Sequence, residues 1–231
     1  MSDVARSFED PGATSAQGAT SAHGAVSSDG RTVRAAAMRE SRRRAVLDAS
    51  LRVFSEKGYH ATRIADLIEA AGIARGTFYL YFESKNAIFH ELLDELLDRV
   101  RASVAGVDVG DDAPPLRDQL LAIVRRVLAT FHEHPALTRL VLRSAPGLDE
   151  EVDRKLATFY GSLHAWLAES LRNAMALGLV RALDDQEIAW SIVGAVKQHV
   201  DRSLEEPLTP DEIDRRTTAL LDFALFGLLA R

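Results

Sequence analysis

Two short amphipathic segments on either side of one glycine, within residues 58–85, constrain the fold of this chain more than any other feature. In the first segment Ile64, Leu67, Ile68 and Ala71 recur at the spacing of one helical stripe. Gly72 follows, at a position where helices commonly end in a left-handed residue. The pattern predicts a helix over about residues 62–71 that stops at Gly72.

The second segment predicts another short helix, over about residues 74–82. Phe78 and Phe82 are four residues apart, so both can anchor this helix to a core. Arg75 and Thr77 then lie in its first turn. A helix that enters the major groove of DNA needs this layout, because a preceding helix braces it and its first turn reaches base edges. The two segments together predict a helix-turn-helix motif over about residues 63–82.

Hydroxyl side chains mark the predicted starts of two helices. Thr62 precedes the first stripe and is predicted to be its N-cap, and Ser84 is predicted to cap the fourth helix of the chain. Lys85 follows at that helix start, where free N–H groups and the helix dipole favour a phosphate.

This segment resembles the DNA-binding domain of the TetR family of bacterial transcriptional regulators, without a gap from about residue 42 to 89. The resemblance is carried by Phe54, Lys57-Gly58-Tyr59, Ala61-Thr62, Ala70-Ala71-Gly72-Ile73, Gly76-Thr77-Phe78-Tyr79, Tyr81-Phe82 and Ser84-Lys85. Two positions depart from the family pattern: Ala74 stands where a serine usually caps the second helix, and Ile68 where alanine is common.

The motif and the resemblance together imply a set of DNA contacts. Phosphate contacts are expected from Arg43, Thr62, Arg63 and Lys85. The residues expected at or near the groove are Arg75, Gly76, Thr77, Tyr79 and Tyr81. Arg75 is the first candidate for base readout, since arginine pairs well with guanine, and Gly76 would let the backbone approach closely. For Tyr79, stacking on the DNA backbone and simple packing both stay open.

Charge is distributed unevenly along the chain, whose net charge is −6. Residues 34–90 hold 10 basic and 6 acidic side chains, whereas residues 91–231 hold 16 basic and 24 acidic ones. A basic end on an acidic body is the electrostatic signature of a DNA-binding domain joined to a second domain. Ordinary surface variation is the alternative reading of the same numbers.

Composition excludes several other classes of protein. There is no cysteine, which rules out disulfides and thiolate metal sites and fits a cytoplasmic location. No apolar run approaches the ~20 residues of a membrane span, and no signal peptide is expected at the N-terminus.

The rest of the chain predicts helices in two domains. Residues 1–33 are rich in Ser, Ala, Gly and Thr and are expected to be a disordered tail. Residues 34–100 form the predicted DNA-binding domain, with a first helix over about 37–57. A loop with two prolines separates it from a C-terminal domain over 113–231, whose last helix opens at Thr209 with a capping box. The predicted fold is all-α, with about nine helices.

Four side chains in the C-terminal domain are candidates for a small-molecule pocket: Phe131, Tyr160, His164 and Trp166. They combine apolar area with polar groups, as pockets for largely apolar molecules do. The alternative is that each is only a core residue. No cofactor or metal is expected, because His132 and His134 point in different directions on a helix and no catalytic motif occurs.

Two apolar stripes predict a homodimer. One comprises Ile188, Ile192, Ala195, Val196 and His199, and the other comprises Leu220, Leu221, Ala224, Leu225 and Leu228. In proteins similar to TetR, the last two helices pair with those of a second copy. The alternative is that the stripes only close the core of one protomer.

The resulting hypothesis is a regulator that binds double-stranded DNA at a palindromic operator as a homodimer. The resemblance further implies a repressor that responds to an apolar effector. An activator, a ligand-independent regulator, and a small-molecule carrier or enzyme on the same scaffold stay open as alternatives.

Overall fold

The computed structural model describes residues 29–104, 106–204 and 209–226. Within these ranges the chain contains nine α-helices and no strand: α1 Asp29–Lys57, α2 Ile64–Ala71, α3 Arg75–Tyr79, α4 Lys85–Ser103, α5 Leu116–Glu133, α6 Pro135–Ser144, α7 Glu150–Ala176, α8 Asp185–Ser203 and α9 Pro210–Phe226. The all-α prediction is therefore confirmed. None of these helices is both long enough and apolar enough to cross a membrane.

The described chain divides into two compact units, within residues 29–93 and residues 94–226, and the division falls inside α4. In the first unit α1 packs on α2. Its core is formed by buried side chains of all four helices, chiefly Val46, Leu47, Phe54, Leu67, Phe78, Phe89 and Leu92. Several of these belong to the stripes that the sequence predicts.

In the second unit α7 packs on α8, and α5 packs on α9. Two ion pairs show the relative direction of α5 and α9: Arg117 to Asp222 at 2.9 Å and Arg125 to Asp214 at 2.6 Å. Because the earlier residue of α5 pairs with the later residue of α9, the two helices run antiparallel.

The first helix begins earlier than predicted, at Asp29 and not near residue 37. Three consecutive alanines, residues 35–37, and the arginines around them are strong helix formers, which lets the helix extend without burying apolar surface. The last five residues of the expected tail therefore belong to α1. Residues 1–28 of that tail lie outside the described residues.

The turns of the motif follow the prediction except at its first cap. Gly72 adopts the left-handed conformation with φ of 63°, and the Ser84 hydroxyl accepts a hydrogen bond from the Ala87 N–H at 3.0 Å. Thr62 is not the N-cap of α2, since that position belongs to Arg63. The Thr62 hydroxyl instead donates to the Gly58 carbonyl at 2.8 Å, the other local bond open to a threonine.

Candidate nucleic-acid interface

Helix α3 is anchored through one face and exposed on the other. Phe78 is fully buried and Phe82 is 3% exposed. Outside that face the helix presents Arg75 and Gly76, both exposed, and Tyr79, which is 43% exposed. Burying two phenylalanine rings contributes several kcal/mol, about 2–3 for each, and holds the helix in one orientation. The exposed face is therefore a firmly held surface.

Arg75 and Tyr79 stack on this exposed face. The Arg75 guanidinium lies 5.8 Å from the centroid of the Tyr79 ring. The Tyr79 ring in turn meets the buried Phe78 ring edge-on, with centroids 5.5 Å apart. Within the described part of the chain, Arg75 forms no hydrogen bond or ion pair. A guanidinium stacked on a ring keeps its in-plane N–H donors free, which is the arrangement that reads guanine.

The other predicted groove residues differ in exposure. A Cβ added to Gly76 would meet no protein atom within 4 Å, so the fold itself does not require a glycine there. Thr77 and Tyr81 are half-buried. Sequence reasoning missed Leu80, which ends α3 and is 70% exposed. The available signal was its place between two tyrosines, off the face that carries Phe78 and Phe82.

Arg43 already has partners within the first unit. Its guanidinium donates two hydrogen bonds to the Glu91 carboxylate and lies 5.1 Å from the centroid of the Phe82 ring. The ion pair ties α1 to α4, and the guanidinium covers Phe82, three residues after the end of α3. The phosphate contact expected from Arg43 stays a prediction, and it would have to compete with Glu91.

Lys85 is also engaged. Its ammonium donates to the carbonyls of Tyr59 and Thr62, both at 2.9 Å, and of His60 at 3.4 Å. It also lies 4.5 Å from the centroid of the Tyr59 ring. An ammonium has three donors, and all three are directed at carbonyls of the segment between α1 and α2. In this arrangement Lys85 braces that segment against α4.

Thr62 and Arg63 precede α2, and the first is buried whereas the second is exposed. Thr62 is only 2% exposed, so the phosphate contact expected from its side chain does not fit this burial. Arg63 is exposed, and its backbone N–H donates to Asp66 at 2.8 Å. The same carboxylate accepts from Lys57 at 2.8 Å. These two hydrogen bonds, chiefly that from Lys57, hold the pKa of Asp66 below its ordinary value.

Two of the predicted pocket residues, His164 and Tyr160, interact with residues of α8. His164 is 9% exposed, stacks on Trp190 with ring centroids 4.4 Å apart, and lies 3.1 Å from the Gln186 carbonyl. Tyr160 is half-buried, as are Phe131 and Trp166. Burial, and then the charge of Asp201, raise the pKa of Tyr160 above its ordinary value. Their role in binding a ligand stays a prediction.

Replacing Asp201 by asparagine should lower the pKa of Tyr160 only part of the way towards the ordinary value, because burial is the larger cause. The folded chain holds this proton more tightly than the unfolded chain, so stability should decrease as pH rises through the raised pKa. Phenolate absorbance during a pH titration measures the change, with Tyr160→Phe identifying the signal. An unchanged pKa of Tyr160 in Asp201→Asn would contradict an effect of the Asp201 charge on this hydroxyl.

The predicted dimer stripes are only partly available at the surface. Leu220 and Leu221 are 8% and 5% exposed within one protomer, so they contribute to its own core and offer little surface to a second copy. Ile188, Ile192, Ala195, Val196, His199 and Leu225 are half-buried and Ala224 is exposed, whereas Leu228 lies outside the described residues. The prediction missed three exposed aromatic residues on α8 and α9: Trp190, Phe223 and Phe226, each just over half exposed.

Comparison with known proteins identifies the motif. A family model described as "Bacterial regulatory proteins, tetR family" matches residues 46–92, which include α2, α3 and the start of α4. The chain is 28% identical over 158 residues to the uncharacterized HTH-type transcriptional regulator YvdT of Bacillus subtilis (strain 168). That match covers 68% of this chain and 79% of the relative.

The fold is shared with solved structures along most of the chain. The TetR family transcriptional regulator PfmR of Thermus thermophilus superposes with a TM-score of 0.64 at 21% identity, covering 80% of this chain and 99% of that one. AibR, in complex with isovaleryl coenzyme A and operator DNA, superposes with a TM-score of 0.61 at 17% identity, covering 81% and 100%. Motif, fold and relatives agree, and residues 46–92 form a DNA-binding domain of the TetR family of bacterial regulatory proteins.

Proposed function

We propose that this protein represses transcription by binding a palindromic operator as a homodimer, and that a largely apolar small molecule releases it from DNA. The observation that carries the DNA-reading part is the exposed Arg75 guanidinium at the first position of α3. It is stacked on Tyr79 and has no ion-pair partner among the described residues. We assign base readout to Arg75 and phosphate contact to Arg63.

The dimer is supported by the exposed aromatic side chains of the last two described helices. Trp190 on α8 and Phe223 and Phe226 on α9 expose large apolar areas that a second copy would cover. A single helix-turn-helix also contacts few base pairs, and twofold pairing doubles the readout on a palindrome. These exposed aromatics take the place of Leu220 and Leu221 in the proposed interface.

AibR, in complex with isovaleryl coenzyme A and operator DNA on a similar fold, supports only the binding of a small molecule by this kind of protein. The apolar character of the effector is inferred from the half-buried Phe131, Tyr160 and Trp166 of this chain. Helix α4 runs continuously from the first unit into the second, so it is the element through which a ligand would act. The chain would act in the cytoplasm by binding, not by catalysis. Coupling is reciprocal, so a ligand that binds equally well with and without operator would contradict this part.

Selection of bound fragments from random double-stranded DNA tests the proposal. The expected product is a palindrome whose half-site centres lie about 10 base pairs, or a multiple, apart. A fragment pool without enrichment would contradict sequence-specific binding. Enrichment of an isolated half-site would contradict the homodimer while leaving the reading of bases by α3 intact.

Tyr79 is expected to orient the Arg75 guanidinium for base readout. Replacing Tyr79 by leucine should weaken the preference for guanine by about 0.5–1 kcal/mol, the usual strength of an exposed cation–π contact. Tyr79→Phe keeps the ring and should retain the preference. The measurement compares binding to the selected operator and to the same operator with a deazaguanine that lacks the N7 acceptor. An equal preference for guanine in the leucine and phenylalanine variants would contradict the role of Tyr79 in orienting Arg75.

A further inference from the structure

Helix α1 begins well before the part of the chain that matches the family model. The helix starts at Asp29, whereas the match starts at residue 46. Every side chain described from residue 32 to 42 is exposed. We call residues 29–42 the α1 arm. At a rise of about 1.5 Å per residue, the arm is roughly 20 Å long.

The α1 arm carries three arginines whose charges are unpaired within the part of the chain that the structure describes. Within the described residues, Arg34, Arg39 and Arg42 form no ion pair or hydrogen bond. The next two arginines differ, since Arg43 is paired with Glu91 and Arg44 with Asp48. The boundary between the paired and unpaired arginines coincides with the end of the arm. Three unsatisfied cations on one helix are suited to an external polyanion.

The arm lacks the packing that usually supports a helix. An isolated helix shorter than about 12–15 residues is marginal in water, even when its residues favour helix. Residues 35–37 are alanines, and Val33 and Met38 are about 60% exposed. Folding of the arm is therefore supported by propensity and by continuity with the rest of α1. An anionic partner would add the stabilisation that burial does not provide.

The arm continues from the side of the unit that holds the end of α3. Arg43, the residue next to the arm, lies over the Phe82 ring, and Phe82 follows the end of α3 by three residues. The arm therefore begins beside a residue that anchors α3, in the same unit as the surface assigned to DNA. The phosphate backbone of the same duplex is the partner whose charge matches the arginines of the arm.

We propose that the α1 arm is a second DNA-contacting surface, which binds the phosphate backbone flanking each half-site through Arg34, Arg39 and Arg42. This inference rests on the proposed binding of α3 to operator DNA. The contact is electrostatic and independent of sequence, because exposed arginines along a helix side pair with phosphates and do not need base edges. It extends the bound length of DNA beyond the palindrome.

The test uses the full chain and two fragments of the selected operator, one trimmed to the palindrome and one with about ten further base pairs, roughly one helical turn, on each side. The arm variant carries Arg34→Gln, Arg39→Gln and Arg42→Gln. A matched variant removes the same charge from exposed positions of the second unit, through Arg143→Gln, Arg154→Gln and Arg181→Gln. Circular dichroism and sizing confirm that each variant is folded and report its oligomeric state.

The expected result is that the wild type and the matched variant bind the longer fragment more tightly than the trimmed one, and that the arm variant does not. On the longer fragment, the dependence of log affinity on log salt should become shallower by about 0.9 for each phosphate that an arginine no longer neutralises, hence by up to about three per protomer. A random-sequence duplex should show the same difference between the variants.

Three results would overturn the proposal. The arm variant could bind the longer fragment more tightly than the trimmed one, as the wild type does. The matched variant could lose as much salt dependence as the arm variant, which would assign the effect to overall charge. The arm variant could change oligomeric state without changing DNA binding, which would make the arm a contact between copies. In each case, retained binding to the trimmed palindrome would leave the proposed function standing.

Discussion

Replacing Phe78 by alanine is expected to lower the free energy of unfolding of the DNA-binding unit by about 3–5 kcal/mol, the usual cost of removing a fully buried phenylalanine ring. The ring has no exposed surface, and it supports both Phe82 and Tyr79. Operator binding should be lost with the fold, because α3 is only five residues long and cannot hold its shape alone. Denaturant unfolding and operator binding measure the two effects.

A matched control for Phe78 lies at the end of the same helix. Leu80→Ala also shortens an apolar side chain, but that residue is 70% exposed, so stability should change by less than about 0.5 kcal/mol. Comparable destabilisation by the two variants would contradict the anchoring of α3 through Phe78.

Replacing Lys85 by methionine is expected to destabilise the unit by about 2 kcal/mol. Methionine keeps the apolar stem but removes the ammonium that holds the carbonyls of Tyr59 and Thr62. Operator affinity should decrease at every salt concentration, because the start of α2 loses its support. The slope of log affinity against log salt should stay unchanged, since no phosphate contact is removed.

The sequence alone favours a different role for Lys85, a direct contact with phosphate. That role predicts a slope shallower by about 0.9 for each Lys85 removed, with little change in stability. Lys197→Met, at an exposed position on α8, controls for the removed charge. A shallower slope together with unchanged unfolding would contradict the bracing role.

Local patterns predicted most of the motif. The stripe of α2, the left-handed Gly72 and the buried Phe78 and Phe82 all depend on residues within a few positions of one another. Such features follow from helix periodicity and turn chemistry. The prediction of an N-cap at Thr62 was wrong because a threonine hydroxyl can either cap the following helix or donate to a preceding carbonyl. The sequence around Thr62 does not distinguish these two hydrogen bonds.

Long-range partners could not be predicted in the same way. The sequence shows that Arg43 and Lys85 are cationic, but Glu91 lies 48 residues from Arg43, and Tyr59 lies 26 residues from Lys85. Only the fold, which places α1 and the segment between α1 and α2 beside α4, brings these groups together. The stripe containing Leu220 and Leu221 indicated burial, but periodicity cannot distinguish a neighbouring helix of the same chain from a second copy.

Binding of Arg75→Ala to the selected operator, and to the same operator with deazaguanine in place of guanine, tests the central claim that α3 reads bases. The expected result is that the wild type discriminates between the two duplexes by about 1–3 kcal/mol and the variant does not. Arg143→Ala, which removes an exposed arginine of the second unit, should discriminate as the wild type does. An Arg75→Ala variant with unchanged affinity and unchanged discrimination would contradict the assignment of α3 as the reading helix.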